Sequence, residues 1–197
     1  MTEMSPDDWN RIEEQLKKDL PAKRYHHTVG VTYTACALAM RYGCDIDKAR
    51  LAGLLHDCAK NLPDSEKRAL CEKGGRGAEG MIPSLLHAPA GSVRAREVFG
   101  VSDTDILSAI EWHTTGRPDM TLLEKIIYVA DYIEPDRHSA PGLGEIRRLA
   151  FEDLDACVER IMGSICDYLA SSEKVTDPMT KSAYEWYKDH NSKSKGE

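Results

Sequence analysis

The sequence predicts an all-α domain, and three observations carry that reading. Apolar residues recur at spacings of three and four along most of the chain, no stretch alternates with the period of a strand, and breaks fall at Pro21, Gly43 and Pro63. With 197 residues, one domain is expected, and a core of this size needs no disulfide or structural metal to fold.

Trp9, Ile12, Leu16 and Leu20 form the first stripe, ended by Pro21. A second helix is expected over residues 22–42, through Val29, Ala35, Leu38 and Ala39, with Gly43 suited to its C-terminus. Asp45 or Asp47 starts a third, whose apolar residues 51–55 run directly into His56-Asp57. Pro63-Asp64-Ser65 restarts the chain as a short helix to about residue 72. The glycine-rich stretch 73–83 reads as a connector and lacks the Gly-Lys-Ser/Thr of a phosphate-binding P-loop. Further helices are expected over about 90–99, 103–113 and 122–133, then a loop over 135–143 carrying Arg137. A long amphipathic helix follows over about 151–169, with Leu154, Val158, Ile161, Met162, Ile165 and Leu169 on one side. A last helix is expected over about 178–187. The domain is thus placed at 1–188, with its core at 22–133 and C-terminal helices at 151–188; residues 189–197 read as a polar tail, too polar to pack.

Composition narrows the function. Twenty-six Lys and Arg against 33 Asp and Glu give a net charge of −7, which argues against a nucleic-acid binder. There is no apolar run of the roughly 20 residues that a membrane helix needs, and the N-terminus lacks the pattern of a signal peptide, so a soluble cytoplasmic protein is expected. Six scattered cysteines with no C-x-x-C suggest reduced, partly buried thiols rather than a zinc knuckle or disulfide framework.

Chemistry concentrates in a few histidines and two aspartates. His138 and His190 lie in polar surroundings, whereas His26, His27, His56, His87 and His113 lie where an apolar helix meets something polar. Asp57 ends the run LAGLLHDCAK, and Asp131 stands among Ile126, Ile127, Val129, Ala130 and Ile133. An unpaired buried carboxylate costs several kcal/mol, so each needs a cation or strong donors. A salt bridge or cap would serve Asp131 equally well. Taken together, His27, His56, Asp57 and Asp131 form an imidazole and carboxylate set suited to a borderline transition metal. Lys60 follows Asp57 by three residues and Arg24 precedes His27 by three, so both cations can share the site. A metal centre flanked by lysine and arginine suits a phosphate ester.

Five motifs stand in register: R-Y-x-H-T-x-G-V at 24–31, L-A-G-L-L-H-D-x-A-K at 51–60, L-L-H at 85–87, W-H-T-T-G-R-P at 112–118, and L-L-E-K-I-I-Y-V-A-D-Y-I-E-P at 122–135. From about residue 10 to 188 the chain resembles the YqeK family, an HD-domain group of bacterial symmetrical bis(5′-nucleosyl)-tetraphosphatases. The resemblance implies a single HD-domain helical bundle around a central di-iron site, hydrolysing diadenosine tetraphosphate to two ADP. It assigns iron ligation to His27, His56, Asp57 and Asp131, with His87 and His113 as ligands of a second metal or as phosphate donors. Catalysis falls to Asp57, Lys60 and His113. Substrate contacts fall to Arg24, Asp57, Cys58, Ala59, Lys60, His87, His113, Thr114, Asp131 and Arg137. Val175, Thr176, Asp177, Pro178, Met179 and Thr180 are assigned to the nucleoside.

Three departures from the family pattern stand out. His26 adjoins the expected ligand His27; Ala88 and Ala90 stand where the pattern favours glycine and valine; and Tyr184-Glu185-Trp186 lacks an asparagine. Two other functions fit parts of the same pattern: a generic HD phosphohydrolase acting on mononucleotides or a guanosine alarmone, and a sensor that binds ADP-like nucleotides and regulates a partner. A homodimer is compatible with the sequence, and no nucleic-acid or membrane partner is expected.

Overall fold

The computed structural model describes residues 4–194, and all regular structure among them is helical. Helix α1 (Pro6–Asp19) opens with a capping box at Ser5 and packs on α2 (Ala22–Tyr42), which ends at left-handed Gly43. Asp45, not Asp47, caps α3 (Ile46–Leu55). The chain then makes successive tight turns through His56–Leu62, for example Cys58 N–H to Leu55 O and Lys60 N–H to Asp57 O, before Pro63 admits α4 (Asp64–Lys73).

The next helix, α5 (His87–Val98), begins three residues earlier than expected, because Pro89 falls in its first turn, where no helical N–H is lost. A 3-10 turn at Pro83–Leu85 leads into it. Asp103 caps α6 (Thr104–Trp112), and Thr121 with Glu124 forms a capping box on α7 (Leu122–Ile133). Between the expected loop, which ends at 143, and the expected long helix, which starts at about 151, lies a separate short helix, α8 (Leu143–Leu149), followed by α9 (Leu154–Ser171). Helix α10 (Pro178–Ser194) corrects the expected tail for residues 189–194; residues 195–197 lie outside the described residues. Asn191 is buried, donating to Asp155 O at 3.1 Å and to Glu159 Oε2 at 2.8 Å, which gives a polar segment a packed, satisfied position on α9.

Helices α2 and α6 each pack on both α3 and α7, which also meet each other, with α5 against α6 and α9 against α7. The tightest approach is between α2 and α3. A Cβ on Gly53 would sit 3.0 Å from Thr32 Cα, a backbone atom that cannot swing aside. Glycine here lets the end of α3 lie close to α2, and so sets the distance between His56 and His27. Gly53→Ala should therefore lower unfolding stability by about 1–3 kcal/mol, measured by urea denaturation; wild-type stability would mean that the two helices are not held at this spacing.

Candidate metal centre

Six side chains from five parts of the chain converge in the interior: His27 from α2, His56 and Asp57 from the turn after α3, His87 from the first turn of α5, His113 from the end of α6, and Asp131 from α7. The imidazoles form a row with edge-on rings, His27–His56–His113–His87, at successive centroid distances of 5.4, 5.0 and 5.1 Å. His56 is fully buried, and Asp57, His87 and His113 are each about 2% exposed.

Asp57 lies against the middle of this row, and its two oxygens face different ways. Oδ2 is 3.4 Å from His56 Nε2 and 3.9 Å from His27 Nε2, while Oδ1 is 3.2 Å from His87 Nε2 and 3.7 Å from His113 Nε2. Arg24 donates to Oδ2 at 2.8 Å, and Lys60 Nζ is 4.0 Å from Oδ1. Asp131 Oδ1 lies 3.1 Å from His27 Nε2. Burial raises the pKa of both aspartates, but charge and N–H donation from protonated imidazoles outweigh it, His56 and His113 for Asp57 and His27 for Asp131, and in that state hold both well below the usual carboxylate range; a bound cation would take the same role over neutral rings. Both are therefore anions at neutral pH.

The protonation of the rings follows from their outer partners. Nδ1 of His56 lies 2.7 Å from Gly53 O, that of His87 2.8 Å from Ser84 O, and that of His113 2.7 Å from Ile110 O, each three residues back. A carbonyl only accepts, so each Nδ1 carries a proton, and the Nε2 of a neutral ring is a lone pair aimed inward. His87 is neutral, since burial pushes its pKa down to about 4. Its Nε2 faces that of His113 at 3.2 Å and lies 3.1 Å from Lys60 Nζ. Nε2 of His27 and His56 and Oδ1 of Asp57 are buried without a hydrogen-bond partner. Inward ring nitrogens and an orphaned carboxylate oxygen suit a cation, and three overlapping donor groups could hold one: His27/His56/Asp57, His56/His113/Asp131 and Asp57/His87/His113, each with its ligand atoms within 4.8 Å of one another. Asp57 belongs to two of them, one on each side, which suits a carboxylate shared between two ions.

The structure separates the two adjacent histidines. His26 points to solvent and pairs with Asp136 at 2.7 Å, whereas His27 turns inward. It also reveals a residue the motif reading passed over. Glu134, nearly fully buried, accepts from His27 Nδ1 at 3.2 Å through Oε1 and from the Asp136 N–H at 2.7 Å through Oε2. It thereby fixes His27 with Nε2 facing inward, as an outer carboxylate does for a metal-binding histidine. A Cβ on Gly30 would lie 2.8 Å from Glu134 Oε2, so the glycine of the first motif makes room for this carboxylate. The signal was present in sequence: Glu134 follows Asp131 by three, on the same helical face.

Other expected site residues divide. Arg137 packs on the end of α7, with Nη2 donating to Asp131 O at 2.9 Å and lying 3.5 Å from its Oδ1. Its loop is held by Arg147 of the unforeseen α8, which donates to the carbonyls of Ile133, Glu134, Pro135 and Arg137 at 2.7–3.3 Å. Cys58 and Ala59 do not present side chains to the site. Cys58 is buried, donating from Sγ to Gly91 O at 3.4 Å, with its thiol pushed up to about 12, and Ala59 packs with Cys71, Leu86 and Ala90. Ala88 is also buried, 1% exposed. Thr114, Asp177, Pro178 and Met179 line a separate cavity of about 330 Å³ together with Trp112, Leu85 and Arg76. Val175 is exposed and Thr180 buried. The glycine-rich connector forms one wall of this cavity: its Arg76 stacks over Trp112 at 4.0 Å and pairs with Glu111.

A helical bundle with a histidine and an adjacent histidine-aspartate pair at its centre defines the HD-domain class, and the HD domain family matches residues 24–136. The symmetrical bis(5′-nucleosyl)-tetraphosphatase of Bacillus subtilis (strain 168) is 43% identical over 173 residues, covering 87% of this chain and 92% of that protein. Its counterpart from Halalkalibacterium halodurans is 41% identical over 171 residues, 86% of this chain and 91% of that one. A crystal structure from Clostridium acetobutylicum, described as a predicted HD superfamily hydrolase involved in NAD metabolism, superposes with a TM-score of 0.89 at 40% identity, covering 92% of this chain and 97% of the other. The chain belongs to the family of symmetrical bis(5′-nucleosyl)-tetraphosphatases of the YqeK type. These relatives favour neither the generic mononucleotide hydrolase nor the sensor.

Two results are expected at this centre. Asp57→Ala and His27→Ala should lose bound metal, whereas His26→Ala should keep it, as measured by metal content after gel filtration. Glu134→Ala should weaken metal binding roughly 10- to 100-fold in chelator competition; an unchanged affinity would reduce Glu134 to a packing role.

Proposed function

We propose that this protein is a metal-dependent hydrolase that cleaves diadenosine tetraphosphate symmetrically to two ADP. The observation that carries the proposal is the placement of Asp57: one buried carboxylate faces an imidazole pair through each oxygen, with Arg24, Lys60 and Arg137 grouped around the same centre. Close family membership supports the substrate. The mixed imidazole and carboxylate donor set, with no thiolate, supports iron as the resident metal and two ions as the complement.

Residues His27, His56, Asp57 and Asp131 would hold one ion, and Asp57 with His87 and His113 a second. When bound, the metal polarises phosphoryl oxygens and activates water. The chain's own cations do the rest. Arg24 and Lys60 flank Asp57 on opposite sides, and Arg137 borders Asp131, so three positive groups stand where the tetraphosphate must lie. Lys60, one-third exposed, is held below its ordinary pKa by burial against the opposing pull of Asp57. Its ammonium lies beside the His87 ring and can turn toward a phosphoryl oxygen as charge builds there. The cavity walled by Trp112, Thr114, Pro178 and Met179 is apolar enough to take an adenosine.

Water attack on either inner phosphorus breaks one bridging P–O bond, and each fragment leaves as ADP. In oxygen-18 water, one of the two ADP molecules should carry the label on its terminal phosphate, read by mass spectrometry; AMP and ATP in equal amounts would overturn the symmetrical reading. Lys60→Met and Arg137→Met should keep their metal yet lose activity roughly 10- to 1,000-fold, measured by ADP release; wild-type rates would remove both from the phosphate site.

A further inference from the structure

A dinucleotide needs room for two nucleoside diphosphates, and the apolar cavity is too small for both. At about 330 Å³ it lies at the bottom of the roughly 300–1,000 Å³ range of small-molecule sites. It adjoins the His87–His113 end of the imidazole row, through Leu85, Pro89 and Thr114. A second cavity of about 880 Å³, lined by His27 of the other end of the row and by Lys60, opens between the start of α2, the turn after α3 and the loop after α7. We propose that this groove binds the second nucleoside diphosphate half of the substrate, the half that departs first or last but is held while the bond breaks. The proposal rests on the dinucleotide reading above.

Charge supports an anionic occupant. Two carboxylates line the groove, and both are engaged: Glu134 holds His27 Nδ1 and the Asp136 N–H, and Asp136 holds His26 at 2.7 Å. Arg24 and Lys60 of its lining also reach Asp57, while Lys23, exposed, lines the groove together with Asn61 and His138. Lys23, Arg24, Lys60 and Arg137 together give the lining four cationic side chains, and Lys23 is the one with no part in the contacts around Asp57 and Asp131. Trp, Tyr and Phe are absent from the lining, in contrast to the first cavity with its Trp112. The groove therefore grips phosphates and ribose and leaves the second base loosely read, so one end of the substrate is selected by base and the other by charge.

The test uses metal-loaded protein with ADP as the binding probe and diadenosine tetraphosphate as the substrate. Calorimetric titration of wild type should give two ADP per chain, and Lys23→Glu should leave one. The same variant should raise KM for diadenosine tetraphosphate roughly tenfold, the size of one lost charge-assisted hydrogen bond, with kcat and metal content unchanged. Arg96→Glu, a charge reversal at the exposed end of α5, should leave KM alone and so separates local contact from general charge. Replacing one adenine of the substrate by guanine should be tolerated in wild type. One ADP per chain in wild type, or an unchanged KM in Lys23→Glu, would overturn the groove assignment while symmetrical cleavage stood. A wild type that leaves diadenosine tetraphosphate intact would overturn both.

Discussion

The buried carboxylate of Asp57 is the constraint on which the rest of the structure depends. A lone anion at 2% exposure is prohibitively costly, so the surrounding helices must deliver positive or metal-binding groups to it from every side. They do so with four imidazoles, one guanidinium and one ammonium, drawn from α2, the turn after α3, α5 and α6. Removing any one changes the balance for the others, because they share a single acceptor. The core of this protein is therefore a charge assembly enclosed by apolar helices, and its packing serves to hold that assembly in register.

Backbone economy makes the register achievable. Three of the four histidines place their outer nitrogen on the carbonyl three residues earlier, a partner supplied by the end of their own helix or turn. No additional side chain is needed to orient them. His27 lies within a long helix, where the carbonyls behind it take part in the helical ladder, so Glu134 serves instead, and Glu134 needs the space at Gly30. Gly53 plays the corresponding part between helices by admitting α3 to α2. Two glycines, neither with a positive φ, thus fix His27 and His56 through absent side chains.

The peripheral helices serve the site at one remove. Arg147 of α8 ties down the last carbonyl of α7 and three carbonyls of the loop that carries Arg137, and Tyr187 of α10 accepts from the Met120 N–H at 3.2 Å, fastening α10 beside the apolar cavity. A chain with net charge −7 can accept a polyanion because its cations are gathered where its carboxylates are already engaged. Overall charge speaks to bulk attraction, whereas the site is governed by what lies within a few ångströms.

The sequence by itself determined the helical class, the limits of α2 and α7, and the selection of His27, His56, Asp57 and Asp131 as a set of side chains that lie in one cluster. Those features are written in local signals: period, caps, proline and glycine stops, and motifs whose members are close in sequence. It also carried the polar tail that was read as unable to pack, because composition cannot show that Asn191 finds two acceptors on α9. Helix α8 escaped notice because seven residues make too short a stripe to register as a period. Only the tertiary structure decided which way each side chain points: His26 outward, Cys58 and Ala59 into packing, and Asp57 with one oxygen toward each imidazole pair. It also turned the glycine-rich connector into a cavity wall and left open grooves at both ends of the imidazole row. Direction and enclosure depend on helices distant in sequence meeting at fixed angles and separations, and no local pattern encodes those.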